Sequence, residues 1–181
     1  MKELALHILD LSENALRAGA TELGITLERD EAADTLTVLI SDNGRGMSPE
    51  VLARVSDPFY TTKTTRRTGL GIPLAANAAQ RAGGSFSITS QEGMGTCITA
   101  VFQHSHIDRQ PLGDVAGTVA ALLLASPDIE LRFVCRSGAR EYSFNTSQLR
   151  EQLDGVPLNH VAVLSVLRDN IKKNVRELCG P

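Results

Sequence analysis

Apolar residues near the start of the chain recur at alternating four- and three-residue spacing. Leu4, Ile8, Leu11, Ala15 and Ala18 mark one stripe of an amphipathic helix. His7, Asp10, Asn14 and Arg17 follow the same rhythm along one flank of that stripe, so their side chains stack in a row. Gly19 is placed to stop the helix at C′. The period then drops to about two over residues 22–29 and 35–41, which predicts two strands joined by the polar stretch 30–34. A glycine turn over 42–46 leads into a short helix with Ser48 as N-cap and Pro49 at its first position.

Residues 57–68 hold five threonines and three basic residues without usable periodicity, and they read as a mobile loop. A second long helix is predicted over 69–82, ended by Gly83-Gly84, followed by strands over 85–90 and 96–103 around a turn at 91–95. A polar segment at 104–111 marks a boundary, dividing the chain into 1–107 and a smaller α/β extension over 108–181. In the extension the pattern predicts a helix over 114–125, strands over 129–135 and 140–144, a short helix over 146–154 and a long one over 159–178. Leu164, Leu167, Ile171, Val175 and Leu178 form the stripe of that last helix. The mixture of predicted helices and strands gives an expected α+β class.

Composition narrows the function. An apolar share of 42% suffices for a packed core, while aromatics at 4% with no Trp leave little surface for stacking bases. A formal charge of -3 gives no general pull toward nucleic acid or anionic membranes. The most apolar run, 115–125, is too short to span a bilayer. Cys97, Cys135 and Cys179 are odd in number and widely spaced, with no metal-ligand pair and no disulfide framework, which fits a reducing compartment. The expectation is a soluble, cytoplasmic protein.

Four short segments carry the candidate chemistry. Asp42 ends a strand before Asn43-Gly44-Arg45-Gly46, which suits a carboxylate accepting an adenine amino group with glycines allowing close backbone approach. Thr68-Gly69-Leu70-Gly71 opens a helix whose exposed N–H groups and partial positive charge favour phosphate oxygens. Lys63, Arg66 and Arg67 lie just upstream, placed to close over a triphosphate. On the first helix Asn14 offers a neutral oxygen to Mg²⁺, and Asp10, one turn earlier, can polarise a water or hydroxyl attacking a γ-phosphate. Each segment alone also reads as a plain turn, an ordinary helix start or a solvated helix face. Their joint occurrence in this order selects ATP with Mg²⁺.

The set resembles the nucleotide-binding domain shared by gyrase, MutL and the catalytic domains of sensor histidine kinases, the GHKL or Bergerat fold, which implies a two-layer α/β sandwich. Asp10-Leu11-Ser12-Glu13-Asn14 and the residues to Thr21 resemble its N box, closest to the MutL form. Asp42-Asn43-Gly44-Arg45-Gly46-Met47 resembles the first glycine box, and Gly93-Met94-Gly95-Thr96 the last. Asp57-Pro58-Phe59-Tyr60-Thr61-Thr62-Lys63 and Thr68-Gly69-Leu70-Gly71 resemble the F and second glycine boxes of nitrogen-regulator-type kinases. The resemblance implies Asp42 on the adenine amino group, Thr96 supporting the base, Asn14 on Mg²⁺ and 57–68 as an ATP lid. It also implies nucleotide contacts from Gly44, Gly46, Met47, Phe59, Thr62, Lys63, Thr68, Gly69, Leu70 and Gly71.

Two departures accompany it. Asp10 stands where the MutL and gyrase branches have a catalytic glutamate and histidine kinases usually have an amide, so a carboxylate is kept but shortened by one methylene. The chain also starts at the N box itself, with no upstream hairpin carrying a phosphoacceptor histidine, and His7 reads as a packing residue. The expectation is therefore a kinase-like protein without its own phosphoacceptor domain. It resembles anti-sigma serine/threonine kinases, moving the γ-phosphate to a partner protein or hydrolysing ATP slowly. The alternative is a nucleotide-gated switch with little turnover; a DNA-acting machine is disfavoured by the short, acidic chain. Residues 108–181 then serve as a partner surface or a homodimer interface. His104, His106 and Asp108 form a weak metal triad at the domain edge, and Arg132, Arg136 and Arg140 read as a solvated hairpin.

Overall fold

The structure, a computed structural model, describes residues 2–55 and 70–180. The elements run α1 (Leu4–Arg17), β1 (Glu22–Asp30), β2 (Thr35–Asp42), α2 (Pro49–Arg54), α3 (Gly71–Arg81), β3 (Ser85–Gln91), β4 (Gly95–Gln103), α4 (Val115–Ala125), β5 (Glu130–Ser137), β6 (Arg140–Asn145), α5 (Thr146–Gln152) and α6 (Val161–Leu178). The expected α+β class and the predicted elements are borne out, with ends shifted by one or two residues. Helix ends fray and are the least determined part of a pattern. Gly19 does take the left-handed conformation that ends α1, at φ 79°. Ser48 caps α2, its Oγ accepting the Val51 N–H at 3.5 Å.

The strands form one six-stranded sheet in the order β3-β4-β2-β1-β5-β6. All neighbours are antiparallel except β1 and β5, which run parallel. Register lines up one apolar row across the whole sheet: Ile88, Ile98, Ile40, Ile25, Phe133 and Phe144. Residues two apart along each strand share that face. The result is a buried set that includes Leu23, Leu27, Leu36, Val38, Ala100, Phe102, Leu131 and Cys135.

α1, α3, α4 and α6 cover this face, contributing Leu4, Ile8, Leu11, Ala75, Ala79, Val119, Leu123, Ile171 and Val175 to a single core. On the other face Thr26, Thr37, Thr99 and Val101 are half-buried, Arg132 and Ser87 are exposed, and Val134 alone among these is buried. The architecture is thus helices on one side of a sheet, two layers thick.

The change of composition at 104–111 coincides with the passage from β4 to α4, and the sheet continues across it. β5 pairs with β1 over its whole length, from Glu22↔Glu130 to Arg29↔Ser137. The first N–H groups of α1, which have no partners inside the helix, are taken by the backbone of the later segment. Leu4 N–H donates to Pro111 C=O at 2.9 Å and Ala5 N–H to Leu112 C=O at 2.8 Å. Thr118 Oγ1 donates to Ala5 C=O at 3.2 Å. Among the described residues, no helix is long and apolar enough to cross a membrane.

Phe133 is fully buried and stacks on Phe144 at 5.7 Å between ring centroids. Phe133→Ala is expected to lower unfolding stability by about 3–5 kcal/mol in urea titration, against less than about 0.5 kcal/mol for Ser87→Ala on the open face.

Candidate functional site

Asp42 lies one step beyond Ile40 on the same face, so the strand that buries Ile40 aims the Asp42 side chain toward the helices. In register it sits opposite Thr96, which sits opposite Ser90, and on its other side opposite Leu23. The apolar row of the core therefore gives way, at the end of β2, to a short polar row. The Asp42 carboxylate accepts the Gly44 N–H at 2.8 Å and a bond from the Thr96 backbone N–H. Burial pushes its pKa up, and the two N–H bonds offset part of that rise. A half-buried acid held by two backbone donors at a strand end is preorganised to accept a further hydrogen bond from a ligand N–H.

The loop after Asp42 is held in place by glycine. Gly46 has φ 65° and Gly95 has φ 96°, and a Cβ on either would stand 1.9 Å from a backbone oxygen, that of Gln91 or Asp42. A Cβ on Gly44 would stand 3.0 Å from Ala18 Cβ. The space these glycines leave is filled by the protein's own backbone and by Ala18, so their first role is to let the loop close on α1 and on the β3–β4 turn. Arg45 N–H donates to Ala18 C=O at 3.0 Å, and Gly93 N–H to Arg45 C=O at 2.8 Å. Met47 N–H donates to Ser90 Oγ at 2.9 Å. Asn43 turns away from Asp42, its Oδ1 accepting the N–H groups of Thr21 and Glu22 at 2.8 and 2.9 Å.

Sequence reasoning missed Ser90, and it read Asn43 only as part of the glycine turn. Ser90 Oγ joins Met47 N–H, the Gly95 carbonyl at 2.8 Å and Thr96 Oγ1 at 2.9 Å. Its closeness to Asp42 arises only through the β3–β4 register, so no local pattern signals it. The side chain of Thr96 is thus tied to Ser90, while its backbone serves Asp42.

On α1, Asp10 and Asn14 are half-buried one turn apart. The start of α3 faces them: a Cβ added to Gly71 would stand 3.1 Å from Asp10 Oδ2 and 3.6 Å from Asn14 Nδ2. The structure therefore brings an acid, an amide and a glycine-opened helix start together, although nearly sixty residues separate them in sequence. Leu70 precedes α3 without a side-chain cap bond, leaving the first-turn N–H groups and the positive end of the helix on this side. Asn14 Oδ1 is held by Arg17 Nη1 at 3.3 Å, and Arg17 also pairs with Glu13. The expected contacts at Phe59, Thr62, Lys63, Thr68 and Gly69 lie outside the described residues.

His7 is buried, its Nε2 2.9 Å from Gln110 Oε1, and burial lowers its pKa. It packs α1 against the segment after β4, as expected of a structural histidine. Among the described residues no group of three His, Cys, Asp or Glu side chains is placed to hold a metal, which excludes the His104, His106 and Asp108 triad. His106 Nδ1 instead accepts the Asp108 N–H at 3.1 Å. Arg136 pairs with Glu28 at 2.8 Å across β1 and β5, and Arg132 and Arg140 are exposed.

Residues 2–106 match the family of histidine kinase-, DNA gyrase B-, and HSP90-like ATPases. Over 94 residues the chain is 43% identical to the sensor protein kinase FleS of Pseudomonas aeruginosa, covering 52% of this chain and 23% of that kinase. It is 30% identical over 92 residues to the sensor histidine kinase ZraS of Escherichia coli, 51% of this chain and 20% of that one. Sporulation kinase C of Bacillus subtilis is 28% identical over 101 residues, 56% of this chain and 23% of the kinase. The chain thus matches about a fifth to a quarter of the length of these kinases. A crystal structure of the N-terminal domain of a DNA repair protein shares the fold with a TM-score of 0.52 at 14% identity, covering 79% of this chain and 52% of that one. The N-box pair facing the start of α3, the acid at the end of β2 and the match over residues 2–106 agree, and the chain belongs to the histidine kinase-, DNA gyrase B- and HSP90-like ATPase family, whose domain implies ATP binding.

Proposed function

We propose that this protein binds ATP with Mg²⁺ and transfers the γ-phosphate to a hydroxyl of a partner protein, with slow hydrolysis when no partner is present. The observation that supports the reading is the closeness of the Asp10 carboxylate and the Asn14 side-chain amide to Gly71 at the start of α3, side chains of the kinds the proposed base and metal ligand require. The donor set fits the metal: Asn14 Oδ1 is a hard oxygen whose long bond to Arg17 is replaceable, and the Asp10 carboxylate lies one turn away. Asn14 with Asp10 beside it would hold Mg²⁺, which would supply charge neutralisation for the triphosphate.

The chain's own residues supply the remaining functions. Asp42 accepts the adenine amino group and sets the position of the base. The N–H groups at the start of α3 hold phosphate oxygens without needing a charged side chain. Asp10 accepts the proton of the attacking hydroxyl or water, the step for which its carboxylate must be ionised and within reach of the acceptor. The similarity to sensor kinases supports the kinase-type reading of the domain; the acceptor and its identity are part of the proposal.

Asp10→Asn is expected to lower phosphate transfer or hydrolysis about 10²–10⁴-fold with ATP binding by calorimetry nearly unchanged. Full activity in that variant rejects Asp10 as the base. Incubation of the wild-type protein with γ-labelled ATP and cell extract is expected to label a partner band. Tight ATP binding with neither transfer nor hydrolysis selects the nucleotide-gated switch instead.

Asp42→Asn separates binding from folding. Burial raises the folded-state pKa of Asp42 above its unfolded value, so folding favours the protonated acid and the ionised form lowers stability above the folded pKa. The Asn variant is therefore expected to melt at the same or a higher temperature at neutral pH, with the difference shrinking as pH falls through the folded pKa. Its ATP affinity is expected to drop roughly ten- to hundredfold, the value of a charge-assisted hydrogen bond. Unchanged affinity removes Asp42 from the site.

A further inference from the structure

Cys135 and Cys179 are far apart in the sequence, yet both are fully buried and their sulfurs stand 3.0 Å apart. Cys135 lies on the core face of β5, in phase with Leu131 and Phe133. Cys179 is the C-cap of α6, its N–H bonded to Val175 C=O at 2.9 Å. Neither residue belongs to the nucleotide site. We propose that Cys135 and Cys179 form a redox-responsive dithiol, which a hydroperoxide closes into an intramolecular disulfide that fastens the end of α6 to β5.

The surroundings divide the roles. Arg29 reaches over the end of α6, its Nη1 donating to Gly180 C=O at 3.3 Å, and so places a positive charge beside Cys179. The bond from Cys135 lowers the pKa of the Cys179 thiol, burial opposes that and Arg29 adds to it, whereas Cys135 is raised by the same bond and by burial. The cation held over the end of α6 makes Cys179 the attacking thiolate and leaves Cys135 as the resolving thiol. Access fits this assignment, because the last turn of a helix opens more readily than the strand beneath it, and hydrogen peroxide is a small oxidant.

In the first step Cys179 Sγ, having given up its proton, attacks one peroxide oxygen; an S–O bond forms, the O–O bond breaks, and the departing hydroxide takes up that proton and leaves as water. Cys135 Sγ then gives up its proton and attacks Cys179 Sγ. The S–S bond forms, the S–O bond breaks, and the hydroxyl leaves with that proton as a second water. Two thiols lose two electrons and one peroxide becomes two waters. The bridge closes a long loop between residues 44 apart, and α6 packs on α4, which packs on α1.

The test uses the full chain carrying only Cys97→Ser, since Cys97 is half-exposed and open to pairing between molecules. The protein is treated with hydrogen peroxide, alkylated under denaturing conditions, digested and read by mass spectrometry. The expected product is a Cys135–Cys179 linked peptide pair that dithiothreitol removes. Its formation is expected to raise the thermal midpoint by roughly 5–15 °C, a shift absent when Cys179→Ser is added. Alkylation of both cysteines after peroxide, a sulfinic acid on Cys179 with Cys135 still alkylatable, or linkage only between chains each overturns the proposal. With Cys135→Ser, dimedone is expected to label Cys179; no label there overturns its role as the attacking thiol.

Discussion

The structure depends on one row of side chains. Ile88, Ile98, Ile40, Ile25, Phe133 and Phe144 lie opposite one another across all six strands. Because side chains alternate with a period of two, a slip of one residue in any pair would carry its apolar set to the open face. The row therefore fixes register for the whole sheet, and register determines the site. Asp42, Thr96 and Ser90 form the adjacent row, and they meet only because the isoleucines beside them are paired. The polar chemistry occupies the place where the apolar row ends.

The helices serve both packing and chemistry. α1 buries Leu4, Ile8, Leu11 and Ala15 and presents Asp10 and Asn14 on its flank. α3 lies against it and against β3 and β4, burying the small residues Gly71, Ala75 and Ala79, and Gly71 brings its first turn beside Asp10. Two features that cost stability lie on the elements of the candidate site. The ionised Asp42 is disfavoured by burial, and Ser12 Oγ is fully buried without a hydrogen-bond partner among the described residues. Such local losses are expected at a functional site and are offset by the large aliphatic core elsewhere.

The family match ends at residue 106, but the physical unit does not. β1 would be an edge strand without β5, and the core-facing Leu23, Ile25 and Leu27 lie beside Leu131, Phe133 and Cys135. The backbone at Pro111 and Leu112 satisfies the first N–H groups of α1, the helix that carries Asp10 and Asn14. Burial and hydrogen bonding thus couple residues 108–181 to the N box itself. Any influence exerted on α4 or α6 has a packed route to the site.

Much was legible in the sequence because it is local. The three- and four-residue rhythm of α1 and α6, the alternation in β1 and β2, the cap at Ser48 and the stop at Gly19 all arise from neighbours a few residues apart. The candidate site was legible as a set of types, because an acid before a glycine turn and an amide one helical turn from an acid are short-range patterns. The tertiary structure decided everything that requires distant segments to meet. Pairing of β5 with β1, the apposition of Gly71 to Asp10 and Asn14, the Ser90 link to Thr96 and Met47, and the contact of Cys135 with Cys179 arise from strand register and helix packing. Those depend on the burial of a whole face at once, which no stretch of residues encodes alone.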